Sequence, residues 1–195
     1  MYSNEMPGTN NIKSVAVFCG SRPGNDPLYA EHAVALGRLI GERGHMLVYG
    51  GGRAGMMGMV ADAALEHGAR VYGVIPEVLM AWEQQHEGIT ELSVVADMHV
   101  RKKMMYDRCD AVVVLPGGNG TLDELFELIT WNSLKIHSKK VFLLNTAGFY
   151  DHLLAHFDRM MGAGFLYSDW RNAFSVHDSP ETIFGKDGDK NQTRP

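Results

Sequence analysis

Apolar and polar residues change rhythm repeatedly along this chain. Short runs that are continuously apolar or β-branched, at residues 14–18 (SVAVF), 46–49 (MLVY), 70–75 (RVYGVI), 111–115 (AVVVL) and 140–144 (KVFLL), have the length and composition of strands. Between them the period lengthens. Within residues 27–43, Leu28, Ala35, Leu36, Leu39 and Ile40 recur near helical spacing, and Leu122, Leu125, Phe126 and Ile129 repeat at i, i+3, i+4, i+7. Each segment thus carries one apolar stripe and predicts a helix. Residues 97–107 and 149–161 predict further helices, and residues 91–95 an additional strand. Strands apolar on both faces and separated by helices predict a parallel sheet covered on each side, a single doubly wound, Rossmann-like α/β domain. Residues 1–11 and 186–195 are polar and read as disordered tails around a domain at 12–185.

Composition narrows the function by exclusion. The chain has 195 residues, with 18 Lys and Arg against 23 Asp and Glu, a net charge of −5. Nucleic-acid binding, which needs a basic surface, is disfavoured. The longest apolar run, 111–115, is far short of the roughly 18 residues of a membrane helix, and the first residues have no apolar signal core. A soluble, cytoplasmic protein without a membrane partner is expected. Cys19 and Cys109 lie too far apart for a zinc knuckle, and the histidines show no ligand spacing, so neither metal nor other cofactor is expected.

The 22 glycines change the picture most, because they cluster directly after strands. Cys19-Gly20-Ser21-Arg22 follows the first strand, Gly50 to Gly58 (GGGRAGMMG) the second, and Pro116-Gly117-Gly118-Asn119-Gly120-Thr121 the strand at 111–115. With strand order 3-2-1-4-5, the first and third of these loops flank one crevice at the topological switch point. Glycine lets the backbone approach an anion closely, and the first N–H groups of a following helix have no internal partner. The run GGNGT before a helix therefore reads as a phosphate cradle, with the Thr121 hydroxyl as an extra donor. Gly50, Gly52 and Gly55 also satisfy the dinucleotide pattern G-x-G-x-x-G, but after the second strand and without a well-placed acidic ribose partner, which is a weak signal. No Walker lysine follows any loop.

Charged residues near these loops are the candidates for chemistry. Asp123, Glu124 and Glu127 crowd the helix after the cradle. Asp123 suits helix-dipole compensation, whereas Glu124, one turn after Thr121, can face the ligand, where a carboxylate beside a phosphate argues for handling water or a ribose hydroxyl. Upstream, Asp97-Met98-His99-Val100-Arg101-Lys102-Lys103 opens a helix with three consecutive cations. Arg101 can clamp phosphate or ribose oxygens and Lys102 can supply a point charge.

PGGNGTLDE (116–124) together with MHVRK (98–102) resembles the paired signatures PGGxGTxxE and MHxRK of the LOG ("Lonely Guy") family of cytokinin riboside 5′-monophosphate phosphoribohydrolases. The similarity runs from about residue 15 to 165 and takes in GGGRAGMMG, VIP (74–76), HEGITEL (86–92), ITW (129–131) and GFYDHLL (148–154). It implies hydrolysis of the N-glycosidic bond of an adenosine 5′-monophosphate, typically N6-prenylated, by a homodimer that uses no metal. On this resemblance Arg101 and Glu124 match the catalytic pair, and Glu83, Lys102, Gly118, Asn119, Gly120, Thr121 and Thr130 match substrate-binding positions. Gly20, Ser21, Met98 and Gly117 complete the set expected to meet the substrate. Lysine decarboxylation, a label the family has also carried, is not expected, because no lysine sits in a pyridoxal-phosphate context. Asn119, and Asn132-Ser133-Leu134-Lys135, depart from the family pattern; they leave the cradle intact and bear on the base pocket. A non-catalytic nucleotide or molybdenum-cofactor carrier on the same fold is the competing class.

Overall fold

A computed structural model describes residues 12–184. In chain order its elements are β1 (Ser14–Phe18), α1 (Pro27–Glu42), β2 (Met46–Tyr49), α2 (Gly55–Glu66), β3 (Val71–Pro76), α3 (Glu77–Glu83), β4 (Glu91–Val95), α4 (Met98–Asp107), β5 (Ala111–Val114), α5 (Asn119–Ser133), β6 (Lys140–Leu144), α6 (Asp151–Gly162) and β7 (Ser175–His177). The strands form one sheet in the order β4-β3-β2-β1-β5-β6-β7, each parallel to its neighbours. The five strands read from the sequence thus take the expected order, and β4 and β7 extend the two edges. The tails expected at 1–11 and 186–195 lie outside the described residues.

Central strands are apolar throughout because both of their faces are covered. In β1, Val15 and Val17 join one core layer with Leu36 and Ile40 of α1 and Met56 and Val60 of α2. Ala16 and Phe18 join the other, with Met105 and Tyr106 of α4, Leu125 and Leu128 of α5 and Phe157 of α6. This is the two-residue alternation of a pleated strand. Helix starts follow their local sequence: Asp26 accepts the Leu28 N–H at 2.9 Å with Pro27 in the first turn of α1, and Asp97 accepts the Val100 N–H at 2.9 Å at the start of α4. Helix α5 differs, since its cap is Gly118, which has no side chain to offer.

At the edge remote from those glycine loops, Asp110 ties the entry of β5 to that of β1. Its Oδ2 accepts the Lys13 N–H at 2.8 Å and the Ser14 N–H and hydroxyl at 3.0 Å each. Burial works against the ionised carboxylate, but these donors outweigh it and hold its pKa below the ordinary value. A group whose folded pKa is depressed stabilises the fold above its unfolded value, and that stabilisation disappears as pH falls through the folded one. Asp110→Asn is therefore expected to cost about 1 kcal/mol at neutral pH, and the difference from the unmodified protein should shrink under acid, as thermal melts across pH will read.

Candidate active site

At the carboxyl ends of β1 and β5, where the chain winds off in opposite directions, lies a cleft of about 330 Å³. This is where open parallel sheets hold ligands, and the volume suits a small molecule. Its wall is assembled from five separate parts of the chain: residues 17–21 at the end of β1, Gly50 and Met57, Leu79 of α3, Met98 and Arg101 of α4, and Gly118, Asn119, Gly120, Thr121 and Glu124 at the start of α5.

The cradle is made rigid by backbone bonds. The Leu115 N–H donates to Phe18 O at 2.9 Å and the Gly20 N–H to Pro116 O at 3.1 Å, which locks the loops after β1 and β5 together. Behind them, the Tyr150 hydroxyl donates to Leu115 O at 2.7 Å. A Cβ on Gly117 would overlap the Thr121 hydroxyl and stand 2.9 Å from the Gly20 nitrogen, so only glycine allows this approach. The first internal bond of α5 runs from the Leu122 N–H to Gly118 O. The preceding N–H groups, with no side-chain cap, stand at the positive end of the helix dipole on the cleft wall. Thr121, buried, sits in the same turn.

Arg101 enters the cleft from the other side. Although only 5% exposed, its guanidinium is held by two main-chain carbonyls, Nε to Val74 O at 3.2 Å and Nη2 to Gly50 O at 3.1 Å, and Nη1 lies 3.8 Å from the Met98 sulfur. Val74 lies within β3 and Gly50 directly follows the neighbouring β2, so the sheet itself sets the guanidinium's position. The second glycine loop has its own brace: the His86 N–H donates to Gly51 O at 3.0 Å, and the buried His86 ring bonds Asp62 at 2.8 Å. Gly50, the first glycine of the dinucleotide-like run, makes room for Arg101, because a Cβ there would overlap the guanidinium nitrogen. Gly50→Ala is accordingly expected to displace Arg101 and to cost about 1–3 kcal/mol of stability, read by a thermal melt.

Nine residues expected at the site do converge on this cleft: Gly20, Ser21, Met98, Arg101, Gly118, Asn119, Gly120, Thr121 and Glu124. Gly117 lies directly behind it, against Gly20 and Thr121. Lys102 does not line it. Its Nζ instead bonds Asp123 at 3.1 Å and Glu127 at 3.0 Å. Thr130 is exposed on α5, three residues short of its end and away from the cleft wall. The Glu83 side chain is outside the described residues. Sequence reading puts the loop that opens with Cys19 at the crevice without naming Cys19 as a site residue, and it does not assign Met57 or Leu79 to the cleft, since these look like ordinary core residues. Among the described residues, no group of three or more His, Cys, Asp or Glu side chains is placed to hold a metal ion.

A family model described as "possible lysine decarboxylase" matches residues 57–186. Decarboxylation of that kind holds pyridoxal phosphate on a lysine Schiff base. Among the described residues no lysine lines this cleft and Lys102 is taken up by two carboxylates, so these residues do not fit that group. Curated relatives point elsewhere. The chain is 48% identical over 157 residues to cytokinin riboside 5′-monophosphate phosphoribohydrolase LOG7 of Arabidopsis thaliana, covering 80% of this chain and 72% of that one. It is 47% identical over 155 residues to the cytokinin riboside 5′-monophosphate phosphoribohydrolase of Rhodococcoides fascians, covering 79% and 78%. Among solved structures, the molybdenum cofactor binding protein of Rippkaea orientalis superposes with a TM-score of 0.65 over 86% of this chain and 90% of its own, at 23% identity, a likeness of fold alone. Sequence identity of this degree, sustained across four-fifths of the chain and through both motifs that meet at the cleft, places the protein in the LOG family.

Proposed function

We propose that the protein hydrolyses the N-glycosidic bond of adenosine 5′-monophosphates, with N6-substituted, cytokinin-type nucleotides among its substrates, to give the free base and ribose 5-phosphate. The observation that carries this reading is the meeting of Arg101 and Glu124 with the uncapped start of α5 in one cleft. The N–H groups of residues 118–121 grip the 5′-phosphate, remote from the bond that breaks, and so use binding energy to fix the ribose. Glu124, one helical turn along, faces the developing positive charge at the anomeric carbon. As the carbon–nitrogen bond breaks, the base leaves with the electron pair and takes up a proton, while a water held by the carboxylate bonds to the carbon and gives up a proton. Arg101 holds ribose or phosphate oxygens and keeps the carboxylate oriented. Purified protein supplied separately with AMP and N6-isopentenyl-AMP, with free base measured by chromatography, tests the reading: release from either supports it, and the ratio reports the base preference. No release from either, despite measurable nucleotide binding, would leave a carrier.

The assembly we propose is a cytoplasmic homodimer. Phe126 and Thr130 lie four residues apart on one face of α5 and Leu134 caps its end four residues on, and Phe126, Leu134 and nearby Ile136 are exposed apolar residues. A second copy seated there covers that face and gives Thr130 an occupied environment. Sedimentation should read twice the 21.6 kDa of one chain; a single-chain mass at micromolar concentration would refute it.

A further inference from the structure

We propose that His86 is a positioning residue, which acts through the second glycine loop to hold Arg101 in register with the cleft. The inference rests on the phosphoribohydrolase reading and concerns the same site. Arg101 takes one of its contacts from Gly50 O, yet Gly50-Gly51-Gly52 is a run of glycines, the residue type with the greatest backbone freedom. A strap supplies the rigidity that such a loop lacks. Residues 84–86 leave the end of α3 and run antiparallel to the loop: the Arg53 N–H donates to Gln84 O at 2.9 Å, the His86 N–H to Gly51 O at 3.0 Å, and Gln85 pairs with Gly52 between them. Gln84 opens the strap at φ 46°, a left-handed conformation that a residue with a side chain seldom adopts and that only surrounding contacts sustain. Gly51, at φ 78°, turns the chain so that consecutive carbonyls serve different partners, Gly50 O taking Arg101 and Gly51 O taking the strap.

The ring of His86, the first residue of the HEGITEL run, is the post on which the strap stands. It is buried and lies outside the cleft wall. The Gly88 N–H can only donate, and it meets Nδ1 at 3.1 Å; Nδ1 therefore accepts, and the ring proton sits on Nε2, which faces Asp62 Oδ1 at 2.8 Å. Both nitrogens are thus engaged, one within the strap's own turn and one on α2. Further along, Thr90 Oγ1 accepts the Val71 N–H at 3.0 Å, and Ile89 packs on the core layer shared by α1 and α2. The Asp62 side chain is half-exposed, so this tether can be cut from the solvent side without opening the core.

Two variants cut the tether from opposite ends. Asp62→Ala removes its acceptor, and His86→Asn keeps an oxygen for the Gly88 N–H but is too short to reach α2. Each is expected to lower kcat by about tenfold, since a shift of about an ångström at a reacting centre costs up to about 10²-fold. Asp62→Asn, whose amide oxygen still accepts the Nε2 proton, should recover most of that loss. Two further readouts separate positioning from general support of the fold. In an Arg101→Lys background, where the fork that meets Gly50 O is gone, adding Asp62→Ala should lower kcat by less than about twofold. By hydrogen exchange, the Arg53 and His86 amides should exchange at least about tenfold faster in Asp62→Ala, while those of β1 and β5 stay unchanged. The proposal is overturned by a loss from Asp62→Ala that is as large in the Arg101→Lys background, by a kcat within about twofold of the unmodified protein in both tether variants, or by unchanged exchange at Arg53 and His86. An unmodified protein that binds AMP and releases no base overturns the function itself, and the exchange measurement then still decides whether His86 holds the strap to the loop.

Discussion

Replacement of Glu124 by Gln is expected to leave the protein folded and nucleotide-binding while base release falls by about 10²–10⁴-fold, the range that a positioned carboxylate supplies in general acid–base work. The substitution keeps the size of the side chain and removes only its charge. Neither neighbouring anchor depends on that charge, since Tyr106 contacts the Glu124 main-chain oxygen and Lys102 pairs with Asp123 and Glu127. The affinity for AMP should hold or rise, because a negative charge close to the phosphate is lost. Chromatography of free base, beside calorimetric titration with AMP, reads both effects. Full turnover in this variant would remove Glu124 from the chemistry.

Arg101→Ala is expected to lose both activity and stability, and that combination distinguishes it from Glu124→Gln. Turnover should fall by about 10²–10³-fold, as for the loss of one aimed donor at a reacting centre. Stability should fall by about 2–4 kcal/mol, because a side chain 5% exposed is removed and Val74 O and Gly50 O each lose their guanidinium donor. Lysine is a poor substitute at this position. Its single ammonium cannot reproduce a planar fork that reaches two carbonyls on neighbouring strands and still faces the cleft. Arg101→Lys is thus expected to recover stability more than rate. Unchanged kinetics in Arg101→Ala would refute the role given to it.

Much of this site is legible in the amino-acid sequence, because its parts announce themselves locally. Glycine directly after a strand marks a turn close to something, and three such loops, at 19–22, 50–58 and 116–121, must gather at one end of a parallel sheet. Glu124 can be singled out because it lies one turn beyond Thr121. The limits are tertiary. Lys102 sits beside Arg101 in sequence and looks like a second cation for the same ligand; its two ion-pair partners, Asp123 and Glu127, belong to another helix, and a local pattern does not show that approach. Gly50 looks like part of a nucleotide-binding turn, yet it serves to admit the Arg101 guanidinium. Two elements escape a reading of periodicity because they are short. Strand β7 has only three residues, Ser175–His177, too few to show a period, and α3, Glu77–Glu83, follows directly on the last residue of a strand with no side-chain cap to mark it. Helix boundaries shift by a residue or two, as with α6, which starts at Asp151 where the apolar pattern places a start at residue 149.

The most direct test of the account is stoichiometric. When AMP or N6-isopentenyl-AMP is incubated with the purified protein, free base and ribose 5-phosphate should accumulate together, one for one and over many turnovers. The same incubation with Glu124→Gln should leave the nucleotide whole. Intact nucleotide recovered from a saturated, unmodified protein would contradict the central claim and make this cleft a binding site alone.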